Sequence, residues 1–208
     1  MNPTRWWLVR HAPVINPSGV IYGQHDIDCD VDDATIFRAV AETLPGGALW
    51  LQSPLGRTRR TAAAIRAAGR DGDPPVDEPR LMEQSFGDWQ GRVRGEILER
   101  HPEAYRRFWL APADERAPNG ESFVDVIDRV RTALEDWSAR AVGRDVVAVM
   151  HGGSIRAALA VALDIGPARA LAFHTETVSV TRIDRYSDGA WGVGFVNATP
   201  GRRVPASA

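Results

Sequence analysis

Lysine is missing altogether: the 25 basic residues among 208 are all arginine. That absence excludes Schiff-base chemistry and any phosphate loop built around a lysine. A single cysteine, Cys29, excludes an internal disulfide and multi-cysteine zinc or iron–sulfur sites. No apolar run reaches the roughly 20 residues of a membrane-spanning helix. Residues 1–7 lack the basic segment followed by an apolar stretch that marks a signal peptide. No membrane partner is expected, and the expected location is the cytoplasm. The net charge is only −2, with arginines spread along the chain. A nucleic-acid partner is therefore not expected either. Nothing in the sequence sets an oligomeric state.

What is present is the balance of a globular protein, 44% hydrophobic and 25% charged, long enough to bury a substantial core. Trp6-Trp7-Leu8-Val9, Ala48-Leu49-Trp50-Leu51 and Val146-Val147-Ala148-Val149-Met150 are short apolar runs that predict buried strands. A helix is predicted from Asp32 or Asp33, either of which can cap it, to about Leu44. An Ala- and Arg-rich helix runs to about Ala68, and two short helices flank Pro102. A long helix covers residues 123 to about 141, and another opens at Gly152-Gly153-Ser154. Residues 71–79 read as a loop, and residues 80–91 show no period. Near the C-terminus, Val178, Val180 and Ile183, then Trp191, Val193 and Phe195, flank a Ser187-Asp188-Gly189 turn, which predicts a hairpin. Strands alternating with helices and closed by a hairpin predict an α/β fold. It is a three-layer α/β/α sandwich on a mixed, mostly parallel sheet. Residues 1–198 are expected to form one domain, with a flexible tail at 199–208.

In open α/β sheets, ligands bind at the carboxyl ends of the strands. Here the first strand runs into Arg10-His11, the second through Ser53 to Arg57, and the third into His151-Gly152-Gly153 at a helix start. Taken singly, each has an ordinary role as a structural histidine, a solvated arginine or a tight turn. Side by side, two imidazoles and two guanidiniums make one cationic mouth. Guanidinium forks match phosphate oxygens, and a helix beginning near Gly153 would add backbone N–H donors. Such a site holds a phosphate dianion with no metal and no cofactor.

Four blocks occur in order. They are Arg10-His11-Ala12, Ser53-Pro54-Leu55-Gly56-Arg57 with Thr61-Ala62, Leu81-Met82-Glu83 leading to Phe86-Gly87-Asp88-Trp89-Gln90-Gly91, and His151-Gly152-Gly153. Over residues 5 to about 160 the chain resembles the histidine phosphatase superfamily, with its phosphoglycerate-mutase-like fold. The resemblance implies an acid-type phosphatase that hydrolyses a small phosphomonoester through a phosphohistidine and releases inorganic phosphate. It makes His11 the nucleophile and sets Arg10, Arg57 and His151 around the transferring group. Glu83 takes the acid/base position, and apolar neighbours such as Phe86 and Trp89 would desolvate it. Chain length, Val9-Arg10-His11-Ala12-Pro13 and Gly19-Val20-Ile21-Tyr22-Gly23 resemble the small phosphatases of the α-ribazole phosphatase type.

The chain departs from the family pattern in places. Ala12 replaces a glycine. Asn16 resembles a phosphate-contacting asparagine, and Tyr22, Gly23 and Gln24 occupy a substrate-lining segment. Both features sit one residue closer to His11, as a one-residue deletion would produce. Arg94 resembles a basic residue that phosphoglycerate mutases place near their substrate, and Arg92 competes for that role. Two other functions stay open. One is mutase-type phosphoryl transfer, against which the short tail and the missing lysine argue. The other is a phosphate-binding module without turnover. The acidic run from Asp26 to Asp33 is not a calcium loop, since Val31 stands where glycine is needed and Phe37 where glutamate is. His11, His151, His174 and Cys29 lack the compact spacing of a zinc site.

Overall fold

A strand covered on both faces is apolar at nearly every position, and the three apolar runs take the middle of one sheet. The computed structural model describes residues 2–16 and 18–202; Pro17 and residues 203–208 of the expected tail lie outside them. The described strands are β1 (Thr4–Arg10), β2 (Leu49–Gln52), β3 (Val76–Asp77), β4 (Asp145–Met150), β5 (Val180–Arg185) and β6 (Trp191–Ala198). They pair in the order β3-β2-β4-β1-β5-β6. The first four are parallel, and β5 and β6 join antiparallel.

Helices α1 (Ala34–Thr43), α2 (Gly56–Ala67), α3 (Arg94–Arg100), α4 (Pro102–Leu110), α5 (Phe123–Arg140), α6 (Gly152–Leu163) and the short α7 (Pro167–Ala170) complete the layers. Alternate residues of β4 serve opposite faces. Val146, Ala148 and Met150 join Trp6 and Leu8 in a core against Val126 and Leu134 of α5 and Ile155 and Leu159 of α6. Val147 and Val149 join Val9 and Trp50 against Phe37 and Val40 of α1 and Ala62 and Ile65 of α2. A third, smaller cluster gathers Ile21 and Trp89 with Ile97 of α3 and Phe108 of α4. The fold is thus an α/β/α sandwich on a mixed sheet. Helix starts follow from their caps: Ser122 and Asp125 form a reciprocal capping box at α5. Among the described residues no helix is long and apolar enough to cross a membrane.

The structure departs from the sequence reading at β3 and at the start of the hairpin, and adds detail to it in two other places. Within the expected loop 71–79, Val76 and Asp77 form β3, paired through backbone to Leu51 and Gln52. Two 3₁₀ turns, Pro79–Leu81 and Gly87–Trp89, lie at and within the segment 80–91 that shows no period. The hairpin begins at Val180, because Val178 sits outside the strand at φ +60°, its N–H donating to Arg10 O at 3.1 Å. At the start of the expected flexible tail, Arg202 donates to Thr177 O at 3.0 Å.

The cap of α1 is resolved in favour of Asp33, whose Oδ1 accepts from Thr35 and Ile36 N–H at 3.1 Å each. Asp33→Ala is therefore expected to lose about 1 kcal/mol in urea unfolding, whereas Asp32→Ala stays within about 0.5 kcal/mol of the parent. Equal losses would show that the cap is shared.

Candidate active site

The parallel register sets three strand ends level. Arg10 pairs with Met150 and Gln52 with Val149. One more ladder bond follows on each side, His11 N–H to Met150 O and Ser53 N–H to Val149 O, both 3.0 Å. His11, Ser53 and His151 therefore leave the sheet side by side, with Arg57 on the first turn of α2. The rings of His11 and His151 lie 5.1 Å apart, centroid to centroid. Arg57 Nε donates to His151 Nδ1 at 3.2 Å. Arg10 donates to the Thr175 carbonyl, and its guanidinium lies beside Gly152. The four residues expected to converge do so.

Hydrogen bonds fix both imidazoles in opposite tautomers. His11 Nδ1 lies 2.7 Å from Ala12 O, which can only accept, so Nδ1 carries the proton. Nε2 keeps its lone pair, and it is buried with no partner among the described residues. On His151 the guanidinium can only donate, so Nδ1 accepts and Nε2–H donates to Ser53 Oγ at 2.8 Å. Both residues are buried. Burial is the main cause that lowers the His11 pKa to about 3. The Ala12 bond opposes that shift, and the Arg57 and Arg10 charges add to it. Burial also holds His151 well below the ordinary range, reinforced by His11 and by the guanidiniums of Arg57, Arg129 and Arg10.

Glu83 reaches the same place from a loop. Its carboxylate accepts from Gly153 N–H at 3.1 and 3.3 Å and from Gln84 N–H at 3.0 Å. A Cβ at position 153 would collide with Glu83 Oε1, so a larger residue there would push the carboxylate off the helix start. The α6 donor expected to face a phosphate is thus occupied by Glu83. Trp89 does not line this site. It is buried edge-on against Phe108, 5.2 Å between centroids, whereas Phe86 does line the adjoining cavity.

That cavity, of about 540 Å³, has Glu83, Gly153, Tyr22, Gly23, Asn16 and Arg94 on its walls, while His11, Arg57 and His151 are not wall residues. Glu83 therefore stands between the cationic cup and the chamber. Both ends of the Asn16 amide bond the Val20 backbone, Nδ2 to O at 2.9 Å and Oδ1 from N–H at 3.1 Å. Gln24 turns away from the chamber, its Nε2 donating to Glu83 O at 2.9 Å. Arg94 lies 4.6 Å from the Trp109 ring centroid. Arg92 is off the chamber wall, bound to Asp88 O and Glu96.

Several residues at the site were assigned no role from the sequence. Ser53 orients His151. Thr61 Oγ accepts from Ala12 N–H at 2.8 Å and donates to Arg57 O at 2.7 Å, tying β1 to α2. Arg129 of α5 donates to the carbonyls of Arg80, Met82 and Glu83 at 2.7, 2.8 and 3.0 Å, and to Glu121 Oε1 at 2.8 Å. It is the clamp of the Glu83 loop. An arginine on a long amphipathic helix gives no signal of such a role. Among the described residues no three His, Cys, Asp or Glu side chains converge as metal ligands.

The buried neutral imidazoles make stability pH-dependent. Between about pH 6.5 and pH 3 the unfolded chain takes up protons on His11 that the folded chain refuses, so stability falls as pH falls. In urea unfolding between pH 5.5 and 4, His11→Gln is expected to have a shallower slope by about 1.4 kcal/mol per pH unit. Parallel slopes would mean that His11 is charged in the folded state.

Comparison with known proteins agrees with this geometry. The family model described as the histidine phosphatase superfamily (branch 1) matches residues 6–199. The bifunctional protein Rv2228c of Mycobacterium tuberculosis is 37% identical over 155 residues, 74% of this chain and 42% of that protein. The chain thus spans less than half the length of that relative. A glucosyl-3-phosphoglycerate phosphatase of Mycolicibacterium vanbaalenii is 35% identical over 177 residues, 79% of this chain and 76% of that one. The crystal structure of the α-ribazole phosphatase from Shigella flexneri superposes with a TM-score of 0.84 at 21% identity. The match covers 95% of this chain and 98% of that one, a likeness of fold alone. With a family model covering nearly the whole chain and His11, Arg57, Glu83 and His151 gathered beyond the carboxyl ends of the central strands, this protein belongs to the histidine phosphatase superfamily, branch 1.

Proposed function

We propose that this chain is a metal-independent phosphomonoester hydrolase of the histidine acid-phosphatase type, acting on a small phosphorylated metabolite, with residues 1–198 as its catalytic domain. The observation that carries the reading is the unpartnered Nε2 lone pair of His11, held in that tautomer by Ala12 O beside two guanidiniums. Nε2 attacks phosphorus in line, the N–P bond forms, and the P–O bond to the alcohol breaks. Arg10 and Arg57 stabilise charge on the equatorial oxygens. His151 completes the ring of donors, and delivering its Nε2–H to a phosphoryl oxygen requires it to leave Ser53 Oγ. Glu83, between cup and chamber, gives its proton to the departing alkoxide. As carboxylate it then takes a proton from the water that attacks the phosphohistidine, and inorganic phosphate leaves with His11 restored. Tyr22, Gly23 and Arg94 shape the alcohol side of the site. Asn16 and Gln24 act through the loops that they tie down. The name of the glucosyl-3-phosphoglycerate phosphatase relative supports phosphomonoester hydrolysis.

Quenching in alkaline detergent after incubation with a monoester radiolabelled in its phosphoryl group, in the presence of EDTA, is expected to trap a base-stable, acid-labile phosphoenzyme, absent in His11→Ala. Label surviving in that variant, or a requirement for added metal, would overturn the reading. Glu83→Gln is expected to slow an alkyl phosphate by about 10²–10⁴-fold and p-nitrophenyl phosphate by less than about tenfold, since p-nitrophenolate leaves without a proton. Equal losses on the two substrates would remove Glu83 from the acid role.

A further inference from the structure

Six buried side-chain polar atoms have no hydrogen-bond partner among the described residues: Arg10 Nε, His11 Nε2, Trp50 Nε1, Trp89 Nε1, Thr175 Oγ1 and Ser179 Oγ. An unanswered buried donor is destabilising, and each one in a folded protein needs a reason. Four of the six gather around the end of β1. Arg10 ends that strand and His11 follows it. Thr175 O accepts from the Arg10 guanidinium, and Ser179 O accepts from Arg10 N–H at 3.1 Å. The bare Nε2 of His11 is the proposed nucleophile, which leaves Arg10 Nε and two hydroxyls without a task.

Gly152, the first residue of α6, defines where the Thr175 hydroxyl stands. A Cβ on Gly152 would lie 3.2 Å from Thr175 Oγ1, 3.5 Å from Arg10 Nε and 3.6 Å from Arg10 Cζ, the three atoms nearest to it. Hydroxyl and guanidinium edge therefore meet over the residue that follows His151. A hydroxyl can accept from Nε–H, yet these two atoms are not bonded to each other, since neither has any partner. Thr175 is 4% exposed, so bulk water does not answer it either. A single acceptor that takes one N–H and one O–H satisfies both. Beside two guanidiniums and a neutral imidazole, that acceptor is an oxyanion. One residue thus holds Arg10 through its carbonyl and adds a donor through its side chain.

We infer that Thr175 is a further ligand of the transferring phosphoryl group, its Oγ1–H donating to phosphoryl oxygen beside Arg10 Nε. The identity of the oxyanion rests on the phosphatase reading, and inorganic phosphate, which needs no turnover to bind, separates the two. Thr175→Val keeps the shape and the carbonyl and removes only the hydroxyl. By titration calorimetry it is expected to bind inorganic phosphate about tenfold to a hundredfold more weakly than the parent. It should lose kcat/KM on p-nitrophenyl phosphate by at least as much. Without phosphate, it should unfold at no lower urea concentration than the parent, because an unanswered hydroxyl has been removed. Thr175→Ser, which restores the hydroxyl, should bind phosphate within about threefold of the parent. Thr175→Ala removes the same hydroxyl without bulk beside Arg10 and covers the case in which valine prevents folding. Phosphate affinity unchanged in the hydroxyl-free variants would assign the hydroxyl to the scaffold. So would a loss of stability without phosphate. Either outcome overturns the inference. A parent that binds no phosphate overturns it together with the phosphatase reading. A parent that binds phosphate but hydrolyses no monoester loses that reading alone, and Thr175→Val still decides this one.

Discussion

The arrangement depends on a guanidinium with no exposed surface. Arg57 is wholly buried, and a buried cation is tolerable only if its N–H groups are answered. Three answers come from two parts of the chain, the start of α6 and the 23–25 loop. Nε meets His151 Nδ1, Nη1 meets His25 O at 2.9 Å, and Nη2 meets Gly23 O at 2.6 Å. One side chain therefore sets the tautomer of the histidine that follows β4, ties down the loop that borders the chamber, and stays at the cup. Asp26 closes the same loop onto the start of α2, where Gly56 N–H donates to its Oδ1 at 2.7 Å. The charge that would bind phosphate is also the charge that assembles the loop around it.

A second cation organises the other side. Arg129 gathers the carbonyls of Arg80, Met82 and Glu83 in the Glu83 loop. Glu121, its ion-pair partner, also accepts Ser85 N–H at 2.8 Å. The loop has no hydrophobic period of its own, so its shape is imposed from α5. Glu83 itself ends on the N-terminus of α6, where Gly153 N–H donates to its carboxyl group at 3.1 and 3.3 Å. Cup and chamber are thus built from opposite strategies. Inside the cup the guanidiniums donate to carbonyls and an imidazole, while the carboxylate at its rim is held by amides.

How much of this can be read from residues alone follows from what each residue answers to. β1, β2 and β4 are legible because a strand covered on both faces leaves an unbroken apolar run, and their carboxyl ends point to His11, Arg57 and His151 before any coordinates. β3 is illegible because its pairing is carried by backbone while Val76 and Asp77 remain exposed. Val178, a β-branched residue in the left-handed region, runs against local preference. That conformation costs about 1–3 kcal/mol and is held by its N–H bond to Arg10 O. Asn16 and Gln24 were expected to face the ligand, yet they bond Val20 and Glu83 backbone, because tertiary closure of the loop decides their partners. Arg129 is hidden by number. In a chain whose every basic residue is arginine, one guanidinium turned inward from a helix looks like all the others.

The two histidines look equivalent in sequence, each ending a buried strand, and the structure distinguishes them by their acceptors. His151 has both ring nitrogens engaged, one by a donor that cannot accept and one by a hydroxyl. It has no lone pair to offer phosphorus. His11 has a single bond, to a carbonyl that cannot donate, which forces the proton onto Nδ1 and leaves Nε2 bare. Burial keeps both rings neutral, so the lone pair of His11 is not lost to a proton in mildly acidic solution. Exchanging the two roles would require both a different acceptor at position 12 and a different donor at position 57. The division of labour between nucleophile and scaffold is therefore fixed by backbone geometry on one side and by a buried arginine on the other.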